Sequence, residues 1–181
     1  DREAAVVLVA INSLFQIVAY SILGYFYLEL LPNWLGLDTA ALDASLAYLL
    51  EVVRRALAEQ PDNGELYYSL GLLLVEMQRP GEALEYLARA SDGMPGRSRI
   101  HYNLGLLYQQ EGDLVRAEQK LVQALQLEPA NLDFQFALAD HYIKRGLLDR
   151  AIPVIEAMIA THPENPIGIQ LLNFVRQQGG G

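Results

Sequence analysis

The sequence predicts an all-α fold: a solenoid of helical hairpins, preceded by a single hydrophobic, membrane-spanning helix. Three observations predict it. Pro61, Pro95, Pro129 and Pro163 fall 34 residues apart. Between them the same order of small and large apolar residues returns, and residues 4–28 carry no charge at all. A fixed period of this size marks stacked supersecondary units, each too small to bury its apolar face alone.

The first element is the uncharged run AAVVLVAINSLFQIVAYSILGYFYL, residues 4–28. At 1.5 Å per residue, a helix of that length spans about 37 Å, more than the roughly 30 Å of a bilayer's hydrocarbon core. Tyr20, Tyr25, Phe26, Tyr27 and Trp34 gather toward its carboxyl end, where an aromatic belt would lie, and Pro32 stops the helix. Asn12 and Gln16 stand one turn apart, on a face that could meet another helix. The expectation is a single-pass membrane protein that contacts the lipid bilayer through residues 4–28. Arg2 is the one base near the span, so the side on which the repeats lie stays open. The alternatives are a buried helix of a soluble protein and a cleaved signal peptide. The second is disfavoured by the length of the apolar run, its weakly basic start and the lack of a small-x-small cleavage site. Residues 1–41 thus form the hydrophobic helix and its connecting loop.

Residues 42–63 supply Leu49, Val53, Ala56 and Pro61 in the phase of a hairpin's second helix, without a first helix upstream. They read as a half repeat. Three hairpins follow, at 64–97, 98–131 and 132–165. In each, apolar residues recur at three- and four-residue steps in two runs of about a dozen, the helical period. The runs are separated by Arg79-Pro80-Gly81, Gly112-Asp113 and Gly146-Leu147. Gly71, Gly105 and Ala139 share one phase in the middle of the first helices, where glycine costs roughly 1 kcal/mol against alanine, so close helix approach is the reason for them. Ala83, Ala117 and Ala151 share another phase, near the start of the second helices. The four prolines close the second helices, because proline lacks a backbone donor and pushes the residue before it out of the helical region. Residues 166–178 place Ile169, Leu171, Leu172 and Val175 on one side of a capping helix, and 179–181 form a glycine tail, a linker or a fusion scar. The chain starts with Asp1 rather than methionine, which points to processing, excision or fusion.

On these residues, Gly64 to Asn165 resembles three consecutive tetratricopeptide repeats. Tyr67 and His101 stand where that family usually has a tryptophan or another large residue, Gln135 departs from the pattern, and Ala139 replaces the family's glycine. A second resemblance covers residues 1–45. Their acidic-basic start, the NSLFQ stretch, the aromatic run and LPNWLGLD are similar to one membrane span and the following loop of the arsenite efflux permeases. The likeness stops near Ser45. That family's metalloid-binding cysteine falls outside the matched stretch, and this chain has no cysteine, so the resemblance implies a fusion or a borrowed anchor rather than transport by this chain alone.

Composition narrows the function. A formal charge of −9 and the absence of Lys/Arg blocks argue against nucleic acid. His101, His141 and His162 fall at different phases of the repeat, and the acidic residues are spread along helix surfaces, so no catalytic or metal site is expected and no cofactor is implied. The protein is therefore read as non-enzymatic.

Binding remains, and the period locates it. In stacked hairpins the first helices line the concave side, and residues of one phase form ladders along it. The predicted partner-binding residues are Tyr68, Tyr102 and Phe136 in one ladder; Leu72, Leu106 and Asp140 in a second; and Val75, Gln109 and Ile143 in a third. Aromatic rings bury large area at little rotamer cost, which suits them as anchors. The tetratricopeptide clamp for a terminal carboxylate is matched at Asn103 but not at Tyr68, Leu72 or Phe136, so an amphipathic helix or an extended apolar segment of a protein or peptide is the expected partner. The leading reading is a membrane-anchored scaffold. The others are a regulatory component of a membrane transporter and a soluble adaptor with a buried first helix.

Overall fold

The computed structural model describes residues 39–179, so the predicted span at 4–28 and the end of the glycine tail lie outside the described residues. Two compact units divide the chain, Asp1–Tyr48 and Leu49–Gly181, and the second holds every hairpin. Eight α-helices and no strands occur among the described residues: α1 (Thr39–Glu59), α2 (Gly64–Glu76), α3 (Pro80–Gly93), α4 (Ser98–Gln110), α5 (Leu114–Leu127), α6 (Leu132–Lys144), α7 (Leu148–Thr161) and α8 (Pro166–Gly179). The architecture is an all-helical hairpin-repeat solenoid. Among the described residues, no helix is long and apolar enough to cross a membrane.

Three hairpins, α2/α3, α4/α5 and α6/α7, carry the densest packing, and α3 leads on to α4 as α5 does to α6. Local sequence sets their ends. Asn63 and Asn131 accept two backbone N–H groups each at the starts of α2 and α6, and Asp113 accepts that of Arg116 at the start of α5. The second helices stop at Met94, Glu128 and His162, each turned out of the helical region at ψ 61–79° and each just before a closing proline. Between the paired helices the chain turns through a left-handed residue, Gly112 at φ 80° and Gly146 at φ 69°. The first hairpin makes the same turn at Gln78, φ 56°. The turn there is Gln78-Arg79, while Pro80 and Gly81, expected in it, begin α3: proline suits a first helical position, where its missing N–H would have no partner.

Among the described residues the buried apolar side chains form two clusters, one running from Leu50 to Ala117 and one from Leu121 to Val175. Leu70, Leu74, Leu87, Leu104 and Leu121 are fully enclosed with Ala83, Ala117 and Ala151. A Cβ on Gly71 would lie 2.6 Å from Cγ of Leu87, and one on Gly105 would lie 2.7 Å from Cγ of Leu121. Those distances are too short for any side chain, so glycine is required by helix contact. In the third hairpin both members change: Ala139 takes the glycine position and Ile155 the leucine position, and both stay buried.

The large-residue position before each of these glycines also has a physical account. His101 and Gln135 set a ring or amide nitrogen 2.8 Å from the carbonyl oxygens of Pro95 and Pro129 respectively. The shared requirement is an N–H donor that ties the first helix back to the turn preceding it, which is why Gln135 can depart from a large ring. Tyr67 has no such donor. Its ring lies beside that of Tyr86, and its hydroxyl accepts from Arg89.

The terminal elements differ from expectation in detail. The half-repeat helix starts at Thr39, before residue 42. In α8, Gly168 and Val175 are buried and Leu171 and Leu172 half-buried, but Ile169 is 49% exposed. A helix turns about 100° per residue, so the neighbour of a buried Gly168 cannot share its face. The start of α8 at Pro166 also lies one 34-residue period beyond that of α6 at Leu132, so α8 holds the place of a fourth first helix.

Candidate partner-binding surface

The three predicted ladders lie on α2, α4 and α6, and the helices present them unequally. On α2, Tyr68 is buried, and Leu72 and Val75 are half-buried. The Arg97 guanidinium sits over the Tyr68 ring at 4.6 Å, and its hydroxyl accepts from Asn103 at 3.0 Å. Asn103, the matched clamp position, is thereby engaged within the solenoid. Arg97 is also paired with Glu65.

On α4, Leu106 is 38% exposed, Tyr102 and Gln109 are half-buried, and on α6 Phe136 is 42% exposed beside half-buried Asp140 and Ile143. Tyr102 packs its ring against Phe134 at 5.0 Å, and the Arg99 guanidinium lies within 5.3 Å of both rings while pairing with Asp133 at 3.1 Å. Burial pushes the Tyr102 hydroxyl above its usual pKa; the charge of Asp133 adds to this, and Arg99 opposes it. Gln109 Oε1 lies 3.0 Å from His141 Nδ1, and Asp140 pairs with Lys144 at 2.7 Å. The charges along this stretch are thus matched by neighbours, which leaves Leu106 and Phe136 as uncharged, exposed rungs.

A cleft of about 190 Å³ opens between Tyr102, Leu132, Asp133, Phe136 and Ile167. Pockets for drug-sized ligands run to roughly 300–1,000 Å³, so this recess suits a single side chain. Its last wall comes from α8, which sequence reasoning treated as a cap. Ile167 and Phe174 are 36% and 45% exposed. The signal was available: Ile167 is in phase with Glu65, Arg99 and Asp133, and Phe174 with Leu72, Leu106 and Asp140.

Behind this surface, Glu118 of α5 accepts from Arg145 of α6 at 2.6 Å and from Arg150 of α7 at 2.5 Å. Burial works against the Glu118 charge, but the hydrogen bonds from Arg150 and Arg145 outweigh it and hold the carboxyl below its usual range. Arg150 covers the Tyr142 ring at 4.5 Å, as Arg116 covers Tyr108 at 4.7 Å one repeat earlier. Among the described residues, no three His, Cys, Asp or Glu side chains form a group that could hold a metal ion.

A solenoid of helical hairpins with exposed rungs on its first helices is a repeat scaffold. The chain belongs to the tetratricopeptide repeat family: models described as tetratricopeptide repeat match residues 42–98, 68–129 and 108–172, well over half of it. Among solved structures, it is similar to the crystal structure of MamA, at 21% identity and a TM-score of 0.70 over 79% of this chain and 84% of that one. MamA 41-end from Desulfovibrio magneticus RS-1 gives 17% identity and a TM-score of 0.67 over 75% and 77%. YrrB, described as a TPR protein with an unusual peptide-binding site, gives 22% and 0.61 over 72% and 67%. At these identities the likeness concerns the fold. A stretch of 39 residues is 64% identical to the arsenical-resistance protein Acr3 of Corynebacterium glutamicum, covering 22% of this chain and 10% of that protein, so the chain spans about a tenth of this curated relative.

Proposed function

We propose that this protein is a membrane-anchored tetratricopeptide scaffold, without enzymatic activity, which binds an amphipathic helix or extended apolar segment of a protein partner along the concave side of its first helices. Leu106 and Phe136 carry the reading: two large apolar side chains left exposed on consecutive first helices, where the surrounding charges are already paired. Tyr102, Gln109, Asp140 and Ile143 complete the surface, and Tyr68, Leu72 and Val75 extend it at lower exposure. The description of YrrB as a peptide-binding TPR protein supports a peptide mode for this fold. The anchor rests on the uncharged run at 4–28, which is long enough to span a bilayer.

The test is a photo-crosslinker at residue 136 of the full chain in its native membrane. One discrete adduct, lost on Leu106→Asp and absent for a crosslinker at exposed residue 119, is expected. A full chain that stays monomeric and soluble without detergent would refute the anchor.

The short, strong identity with Acr3 favours a second reading, in which the amino-terminal span docks among those of an arsenite-permease-like transporter and the repeats regulate it. Co-purification with a multispan protein separates the two.

A further inference from the structure

We propose that the joint between the second and third repeats is a proton-sensitive latch: protonation of His141 expels Arg145, frees α6 from α4 and α5, and breaks up the partner surface in mild acid. The last step rests on reading α4 and α6 as partner-binding helices.

His141 is 1% exposed, and both of its ring nitrogens are committed. Nδ1 lies 3.0 Å from Gln109 Oε1. An amide oxygen can only accept, so Nδ1 carries the ring proton. Nε2 lies 3.3 Å from Arg145 Nη1, and a guanidinium can only donate, so Nε2 presents its lone pair. The neutral Nδ1–H tautomer satisfies both contacts. A second proton, on Nε2, would set donor against donor and cation against cation inside the repeat joint. Arg145 is the group able to yield, since its side chain is 27% exposed. Its departure breaks the 2.6 Å pair with Glu118, leaving Glu118 to Arg150.

Glu118 faces the ring from α5, Arg150 from α7, and Asp140, Lys144, Arg145 and the Tyr142 hydroxyl belong to α6; α4 offers the neutral Gln109. Burial depresses the His141 pKa most and Arg145 adds to this, while Glu118 and Asp140 oppose them. The equivalent positions in the other repeats are Leu73 and Leu107, so this joint alone carries the device. The Nε2 atoms of His101 and His162 lie 2.8 and 2.7 Å from the carbonyl oxygens of Pro95 and Ala130, and neither faces a guanidinium there.

The sign follows from linkage. A histidine with a depressed folded pKa contributes stability that is complete above its unfolded value of about 6.5, and that is lost as pH falls toward the folded value. The folded-to-unfolded ratio then drops by up to about tenfold per pH unit.

The experiment follows the full chain from pH 7.5 to 5 by unfolding, by histidine-ring NMR and by hydrogen exchange of α6. Wild type should lose stability as pH falls below about 6.5, by no more than about tenfold per unit, with α6 exchange accelerating as His141 titrates. His141→Leu, the residue of the other repeats, should remain folded and lose the slope. Arg145→Gln should raise the His141 midpoint without unfolding the chain. The latch is overturned if His141 titrates with α6 protection unchanged, or if Arg145→Gln leaves the midpoint where it was. Should the latch open as described while the residue-136 crosslink yield stays constant between pH 7.5 and 5.5, the partner surface is refuted and the latch stands.

Discussion

The side-chain amide of Asn103 donates to the Tyr68 hydroxyl at 3.0 Å, joining first helices of consecutive repeats across half-buried surface. The bond takes a donor that could otherwise meet a ligand carboxylate and uses it to fix the stacking of two repeats. Tyr68→Phe removes the acceptor and leaves the ring under Arg97. It should cost about 1 kcal/mol in chemical denaturation, the net worth of one hydrogen bond. A double-mutant cycle with Asn103→Ala should recover most of that as coupling, and additive losses would show that the two groups do not meet.

Gln78 holds a left-handed turn at φ 56°, where the next two repeats place Gly112 and Gly146. A residue with a Cβ pays roughly 1–2 kcal/mol for that conformation. Gln78→Gly should therefore raise stability by about 0.5–1 kcal/mol, part of the relief being offset by the greater freedom of glycine in the unfolded chain. A lower melting temperature would mean that the Gln78 side chain makes a compensating contact.

Ala117 is fully enclosed between α4 and α5, and Gln119, two residues on, is exposed. Ala117→Leu should overpack the central hairpin and cost roughly 1–3 kcal/mol, while Gln119→Leu should stay within about 0.5 kcal/mol of wild type. Equal thermal shifts for the two would contradict the helix phase.

Phe136 and Tyr102 share a ladder but not an environment. Phe136 is 42% exposed, whereas the Tyr102 ring rests on Phe134 at 5.0 Å. Phe136→Ala should weaken partner binding by about 2 kcal/mol, roughly thirtyfold, with the melting temperature nearly unchanged. Tyr102→Ala should lower both. If Phe136→Ala alters neither binding nor stability, the partner uses another face.

The repeat period made the hairpins legible in the sequence, because it is a property of spacing: Gly71, Ala83 and Pro95 each have counterparts one period on, and their roles in packing and termination follow from small size and a missing donor. What spacing could not show is which side chains of one phase stay free. Tyr68 and Phe136 are equivalent by position, yet one is closed by Arg97 and Asn103 and the other is open, and those partners come from outside the ladder. Gln135 looked like a departure because its bond runs to a backbone carbonyl, a partner that no comparison of side-chain types reveals. The latch at His141 was hidden for a similar reason, since Gln109, Glu118 and Arg150 converge on it from three other helices.

Because α8 occupies the slot of a first helix, the described helices form an open-ended ruler rather than a closed object. Each further 34-residue increment would lengthen the row of first helices by one rung and meet the same kind of neighbour. Reach along a partner is thus a quantity that gene duplication can change in whole steps, without redesigning an interface.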